Sequence, residues 1–371
     1  MSKNSNLGVA KTAKNDEFYT QLTDIEKELK HYRSHFNGKV VLCNCDDPFE
    51  SNFFKYFVLN FNYLGLKKLI ATCYYSSPII GLQLYCYCDK NGQMRYTYDD
   101  EISNNTNPKR PYKAIVTSVH DTTGDGGIDM TDVAKLFISG ENKLTELEGN
   151  GDFSSKECLE LLDEADIVVT NPPFSLFREY VATLMQHNKK FVAIGNQNAI
   201  TYKEIFTLIR DSKLWLGYNS GDMAFKVPYY YEPRETRYWQ DNTGQKWRSL
   251  GNICWFTNLD IKKRHEEIVL YKHYTPEEYP NYDNYDAIEV SKTIDIPCDY
   301  AGVMGVPITF MDKYCPEQFN ILGCTESEGK GFSNGLWYEE SGVAQPLVDG
   351  IKKYKRIFIR NKHPEPPKEV K

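Results

Sequence analysis

Between Lys39 and Tyr75 the chain runs from an apolar stretch, KVVLCNC, through DDPFESNFFKYFVLNFNYLG, to a second apolar stretch, KKLIATCYY. No other feature constrains the fold as much. Two short strands joined by a helix form a parallel β-α-β unit, and a parallel sheet needs both of its faces covered. Asp46 and Asp47 precede Pro48 near the start of that helix, and Gly65 closes it. The alternation returns downstream, where SSKECLELLDEA leads into DIVVT, SLFREYVATLMQHN into KKFVAIGN, and YKEIFTLIRD into KLWLGY. Ser154 with Glu157, and Thr201 with Glu204, read as capping boxes. Residues 17–33 read as an amphipathic helix, and YKAIVTSV at 112–119 as a further strand. Asn91-Gly92, between two alternating runs, predicts a hairpin inserted over 81–99. The fold class expected is α/β, a doubly wound and mostly parallel sheet.

Past residue 218 the texture changes. AFKVPYYYEPRETRYWQDNTGQKWRSLGNICWFTNL is aromatic and turn-rich, without a helical period. PEEYPNYDNYDAIEV reads as an extended surface segment, and GIKKYKRIFIRNK as a strand with one charged face. The expected organisation is a core over 1–217 and a β-rich region over 218–371. No stretch is apolar enough to cross a membrane, and the N-terminus lacks the apolar segment of a secretory signal, so the expected location is the cytoplasm. The ten cysteines include Cys43/Cys45 and Cys86/Cys88, without the second pair or histidines of a zinc site, and read as buried reduced thiols.

The strand at 166–170 ends unusually. ADIVVTNPPFSLF places Pro172 and Pro173 directly after it, and neither has an N–H to give to a sheet ladder. Open α/β sheets bind ligands at the carboxyl ends of their strands. There the Pro172 carbonyl and the Asn171 side-chain oxygen offer paired acceptors for the two hydrogens of an exocyclic amine. Phe174 adds a flat face for a ring. Such a corner suits an enzyme that acts on a base taken out of its stack.

TNPPF resembles the Asn/Asp-Pro-Pro-Tyr/Phe motif of amino-group methyltransferases. KNDEFYT at 14–20 and GNGDFSS at 149–155 resemble their cofactor motifs. VLCNCDDPFESNFFKYF and MGVPITFMDKYCPEQFNILG at 304–323 are similar to EcoRI-type adenine-specific DNA methyltransferases, and the likeness runs over nearly the whole chain. The resemblance implies a Rossmann-like core followed by a target-recognition region. It implies methyl transfer from S-adenosylmethionine to N6 of a flipped-out adenine in double-stranded DNA, by direct displacement and without a metal. It implies catalytic roles for Asn171, Pro172, Pro173 and Phe174, and cofactor roles for Tyr19, Thr20, Asp46, Asp47, Asp152 and Phe153. A monomer is expected, with or without a cognate restriction endonuclease for the same site. RNA adenine or protein glutamine as substrate, and a silent nucleic-acid-binding module, are the competing readings. One departure is the absence of glycine after the first strand, where CNCDDPF stands; there Asp46 and Asp47 also read as charges complementing a helix dipole.

Net charge is −7, so contact with phosphates requires local basic patches. Arg234, Arg237, Lys246 and Arg248, interleaved with Trp239 and Trp247, make the first candidate. Lys352, Lys353, Lys355, Arg356 and Arg360 make the second. DTTGDGGIDMTD, from Asp121 to Asp132, has acidic residues at calcium-loop spacing, but a strand precedes it where a helix is required and Asp stands at its last position. It reads as a Gly-rich loop feeding a helix.

Overall fold

The computed structural model describes residues 18–45, 51–73, 111–137, 140–227, 231–325, 332–333 and 335–366, with the backbone of 84–88 and 94–98. Its chain divides into two compact units. One comprises Met1–Gly195 with Gly221–Trp255, the other Asn196–Ser220 with Phe256–Lys371.

A ten-stranded sheet organises the architecture. At its centre Lys190–Asn196, Ile167–Thr170, Val40–Cys43 and Lys68–Thr72 lie side by side and parallel, with Val41 opposite Ile167 and Val168 opposite Phe191. All four residues of Val40–Cys43 and of Ile167–Thr170 are buried, as strands covered on both faces must be. Helix Asn52–Leu59 buries Phe53, Phe54, Tyr56, Phe57 and Val58, and Ser51 caps it by accepting from the Phe53 and Phe54 amides. Gly65 ends the following turn in the left-handed region at φ 65°. Helix Phe177–Gln186 buries Phe177, Tyr180, Val181 and Leu184, the spacing of one helical face.

The sheet is mixed around that parallel centre. Tyr112–Val116 runs antiparallel to Lys68–Thr72, and Lys143–Glu146 antiparallel to Tyr112–Val116. Between residues 72 and 112 the described backbone is a hairpin, Leu84–Cys88 against Met94–Tyr98, rather than the crossover helix that a parallel neighbour requires. The strand expected over 112–119 stops at Val116, because the Thr117 and Ser118 amides turn to Asn142 Oδ1. The helix expected over 17–33 covers Leu22–Leu29 and continues as shorter turns to Phe36.

Both expected capping boxes fail. Ser155, not Ser154, caps Lys156–Glu164, and Ser154 is bound to Asp152 instead. Thr201 donates to the Asn198 carbonyl and caps nothing. The capping box that does form pairs Asp129 with Asp132, in the calcium-like stretch.

The second unit carries a four-stranded sheet in the order Ile288–Glu289, Met304–Pro307, Arg356–Asn361, Phe319–Cys324. Here two expectations are corrected. The tyrosine-rich segment is core, with Tyr279, Tyr282 and Tyr285 all at most 4% exposed. Their hydroxyls have partners: Asp295 and Ala344 carbonyls for Tyr279 and Tyr285, and the Glu289 carboxylate for Tyr282. The basic tail strand is not a charged face, since Arg356–Asn361 is buried except at Arg360. Arg356 grips Glu289 through Nε at 3.0 Å and Nη2 at 2.6 Å. Burial works to raise the Glu289 pKa, but the Arg356 guanidinium and Tyr282 override it and hold the carboxyl below its usual 4.5.

Removing one partner strands the other charge. Glu289→Leu is therefore expected to cost about 3–5 kcal/mol in urea unfolding, and pairing it with Arg356→Met to recover much of that. The carboxyl's folded pKa is depressed, so its contribution is complete above pH 4.5 and lost as pH falls through the lower folded value. An acid-unfolding profile identical for wild type and the double variant would contradict this.

Candidate active site at the strand ends

The Ile167–Thr170 strand is fixed at its end before the prolines begin. The Thr170 hydroxyl donates to the Asn44 carbonyl, at the end of the neighbouring parallel strand. Asn44 is 3% exposed, and its side-chain oxygen accepts from the Tyr180 hydroxyl of the following helix. The Pro173 carbonyl accepts from the Leu176 amide at 3.0 Å and so starts the next turn.

Asn171 is held by a segment 153 residues away. Its Nδ2 donates to the Phe18 carbonyl at 2.5 Å and to Thr20 Oγ1 at 3.3 Å. An amide nitrogen has two hydrogens, and both are thereby used. Among the described residues nothing donates to Asn171 Oδ1 or to the Pro172 carbonyl. Two acceptor oxygens on adjacent residues are left at the carboxyl end of the sheet. Beside them Phe174 is half-buried, with the Phe18 ring stacked at 5.7 Å and 28° and the Phe225 ring edge-on at 6.3 Å.

The N-terminal segment is itself anchored. Tyr19 and Thr20 pair antiparallel with Lys226 and Phe225. Asn52 Nδ2 donates to the Thr20 carbonyl at 2.7 Å, and Gln21 Nε2 to the Ala224 carbonyl at 3.0 Å.

Asp152 lies in a turn at the same edge. Gly151 there has φ 72°, and a Cβ on it would stand 2.1 Å from the Cys73 carbonyl, one residue past Lys68–Thr72. Asp152 Oδ1 accepts from the Ser154 amide and hydroxyl, while Oδ2 has no partner among the described residues. The Phe153 ring packs edge-on against Tyr180 at 5.1 Å. Asn171 and Asp152 are thus bridged through Thr170, Asn44, Tyr180 and Phe153. Asp46 and Asp47 lie outside the described residues. Phe18, Asn44 and Tyr180 were not singled out beforehand; an asparagine between two cysteines at the end of an apolar strand was the one signal available for Asn44.

Of the four basic candidates, three have acceptors. Lys246 Nζ donates to the Tyr231 carbonyl at 3.0 Å, and Arg248 Nη1 to the Thr236 and Arg237 carbonyls. Arg237 pairs with Asp222 at 3.2 Å. Arg234 is exposed, its guanidinium 6.0 Å from the Tyr231 ring centre. Trp239 and Trp247 stack across the Tyr238–Gln240 and Lys246–Arg248 pairing at 6.3 Å, nearly parallel. In the calcium-like loop, Asp121 accepts from the Thr123, Gly124 and Gly126 amides, and Asp132 from the Asp129 amide and both donors of Thr122. These bonds hold the Asp132 carboxyl down at about 2, and they explain the acidic spacing as loop closure.

Residues 6–362 match the family described as adenine-specific methyltransferase EcoRI. The chain is 44% identical over 363 residues to Type II methyltransferase M.EcoRI of Escherichia coli, covering 97% of each. It is 36% identical to Type II methyltransferase M.MgeORF184P of Mycoplasma genitalium, over 95% of this chain and 97% of that one. To Type II methyltransferase M.MpnI of Mycoplasma pneumoniae it is 36% identical over 85% and 84% of the two chains. No solved structure matches.

Proposed function

From the premise that the chain belongs to the adenine-specific EcoRI methyltransferase family, we propose that it transfers a methyl group to N6 of an adenine flipped out of double-stranded DNA, with Asn171 and Pro172 as the acceptors of the target amine. It serves as the modification enzyme of a restriction–modification system, with a cognate endonuclease for the same site, or as a solitary methylase. It acts as a monomer in the cytoplasm.

The observation that carries this reading is the pair of acceptor oxygens, Asn171 Oδ1 and Pro172 O, left over once both Asn171 N–H groups are donated away. A primary amine on a planar ring presents two hydrogens in the ring plane. Acceptors that draw those hydrogens out of the plane turn the nitrogen toward a tetrahedral arrangement, so that its lone pair leaves ring conjugation and can attack the sulfonium methyl as the S–CH3 bond breaks, the amine then losing one proton. Phe174 supplies the face against which the extruded base rests. Positioning of this kind carries much of the rate in a direct displacement.

S-adenosylmethionine, when bound, would supply an electrophilic sulfonium methyl at the same edge. Asp152, through its open Oδ2, would accept from the adenine amine of the cofactor, with Phe153 backing that turn; Tyr19 and Thr20 would border the methionine end, and Asp46 and Asp47 would reach the cofactor after the first strand. Target recognition falls to residues 218–371, beginning with the aromatic hairpin that carries Arg234, Arg237, Lys246 and Arg248.

Incubation with tritiated S-adenosylmethionine and unmethylated duplex DNA, followed by single-molecule sequencing, is expected to reveal N6-methyladenine at one recognition sequence. Modified cytosine without modified adenine defeats the proposal. Asn171→Ala is expected to abolish turnover while cofactor affinity stays within about twofold; a fully active variant makes the corner merely architectural. Arg234, the basic side chain here without an acceptor among the described residues, is expected to contribute most to phosphate contact. Arg234→Glu should lower the slope of log K against log salt by about one, whereas Lys246→Gln should leave the slope near wild type.

A further inference from the structure

We infer that Thr20 is a positioning residue for the reaction, the side chain that takes the second Asn171 N–H beside the orientation-selecting Phe18 carbonyl and so holds Oδ1 toward the target amine. The inference rests on the reading above. It deepens it by giving Thr20 a partner in the protein instead of, or beside, the cofactor.

An asparagine side chain has two nearly isosteric orientations, related by half a turn about its last bond. Only one is productive here. With Oδ1 outward, the corner accepts two hydrogens from the amine. With Nδ2 outward, it presents N–H to N–H, and the second acceptor is lost. Local sequence does nothing to select between these, because the prolines that follow have no N–H to offer Oδ1. Selection comes from Phe18–Thr20. The Phe18 carbonyl is an obligate acceptor at 2.5 Å, and Thr20 Oγ1 accepts at 3.3 Å. A flipped amide would set its oxygen against the Phe18 carbonyl oxygen, two acceptors with no hydrogen between them.

The two acceptors are held firmly. Thr20 is 4% exposed, so its hydroxyl is not exchanged for a water contact at the surface. Its backbone is pinned on one side by pairing with Phe225 and on the other by Asn52. The Phe18 ring meanwhile lies on Phe174. One three-residue segment therefore orients both parts of the corner, the amide through its acceptors and the aromatic face through a ring.

The test compares Thr20→Val, which keeps the shape and removes the acceptor, with Thr20→Ser, which keeps the acceptor, and with Thr20→Ala as a second acceptor-free variant should valine disturb folding. Each is characterised by thermal melting, by dissociation constants for S-adenosylmethionine and DNA, and by single-turnover methyl transfer at saturating concentrations of both. At saturating cofactor and DNA, valine and alanine are expected to slow transfer between about tenfold and a hundredfold, whatever change they make in the cofactor constant, and serine to restore most of the rate. Wild-type transfer rates in the valine and alanine variants overturn the inference. So does a rate loss that serine shares, or one that vanishes at saturating cofactor and tracks a weakened cofactor constant. A wild-type chain that leaves adenine unmodified defeats the function itself. A methylating wild type with an indifferent Thr20→Val defeats the positioning role alone.

Discussion

The corner from Asn171 to Phe174 depends on a strand that runs out of donors. Ile167–Thr170 takes its place in the parallel centre of the sheet, and after Asn171 the next two peptide bonds end in proline nitrogens without hydrogen. Ladder pairing stops there, and the backbone carbonyl at Pro172 is released from it. A strand that ended in ordinary residues would have to find partners for its last amides, and the carbonyls beside them would be drawn into the same turn. Only at Pro173 does the chain resume local bonding, through the Leu176 amide. The gap between the last ladder residue and that first turn contains Asn171 and Pro172.

A released acceptor is useful only if it is aimed, and aim at this edge comes from distant sequence. Thr170 is tied to Asn44, Asn44 to Tyr180, and Tyr180 packs on Phe153, next to Asp152. Each link joins a different strand end or the helix behind it. The set is buried, so each bond works in a medium where leaving it unmade is costly. The turn carrying Asp152 and the corner carrying Asn171 are consequently parts of one framework. Displacing Tyr180 would disturb both.

What was legible in the sequence was local. The strand–helix alternation, the Gly65 stop, the hairpin around 81–99 and the Pro-Pro corner are short-range patterns with short-range causes. What was not legible involved partners far apart in sequence. Phe18 and Asn171 are separated by 153 residues, Asn44 and Tyr180 by 136, and no periodicity encodes such a pair. The direction of Tyr112–Val116 depended on what lies before it, not on its own residues. The tyrosine-rich segment misled because tyrosine with asparagine and proline reads as surface. Its hydroxyls in fact bond to carbonyls and to Glu289, which makes burial tolerable. The calcium-like stretch is, as expected, a loop feeding a helix; its acidic spacing records where carboxylates stand, and their own backbone has already taken them.

The same distinction governs how an acidic chain meets a polyanion. With a net charge of −7 and no favourable overall field, attraction to phosphate must come from individual cations whose charge is not already neutralised. Counting arginines and lysines in sequence overstates that supply. Arg356 is spent on Glu289 inside the second unit, and Arg237 on Asp222. Lys246 and Arg248 keep their charge but spend hydrogen bonds on backbone carbonyls within the hairpin. Donors already given to those carbonyls shape the hairpin and set its register. A side chain like Arg234, exposed and without a carboxylate partner among the described residues, still has bonding capacity to give. The same hairpin holds the stacked rings of Trp239 and Trp247, which the committed cations flank.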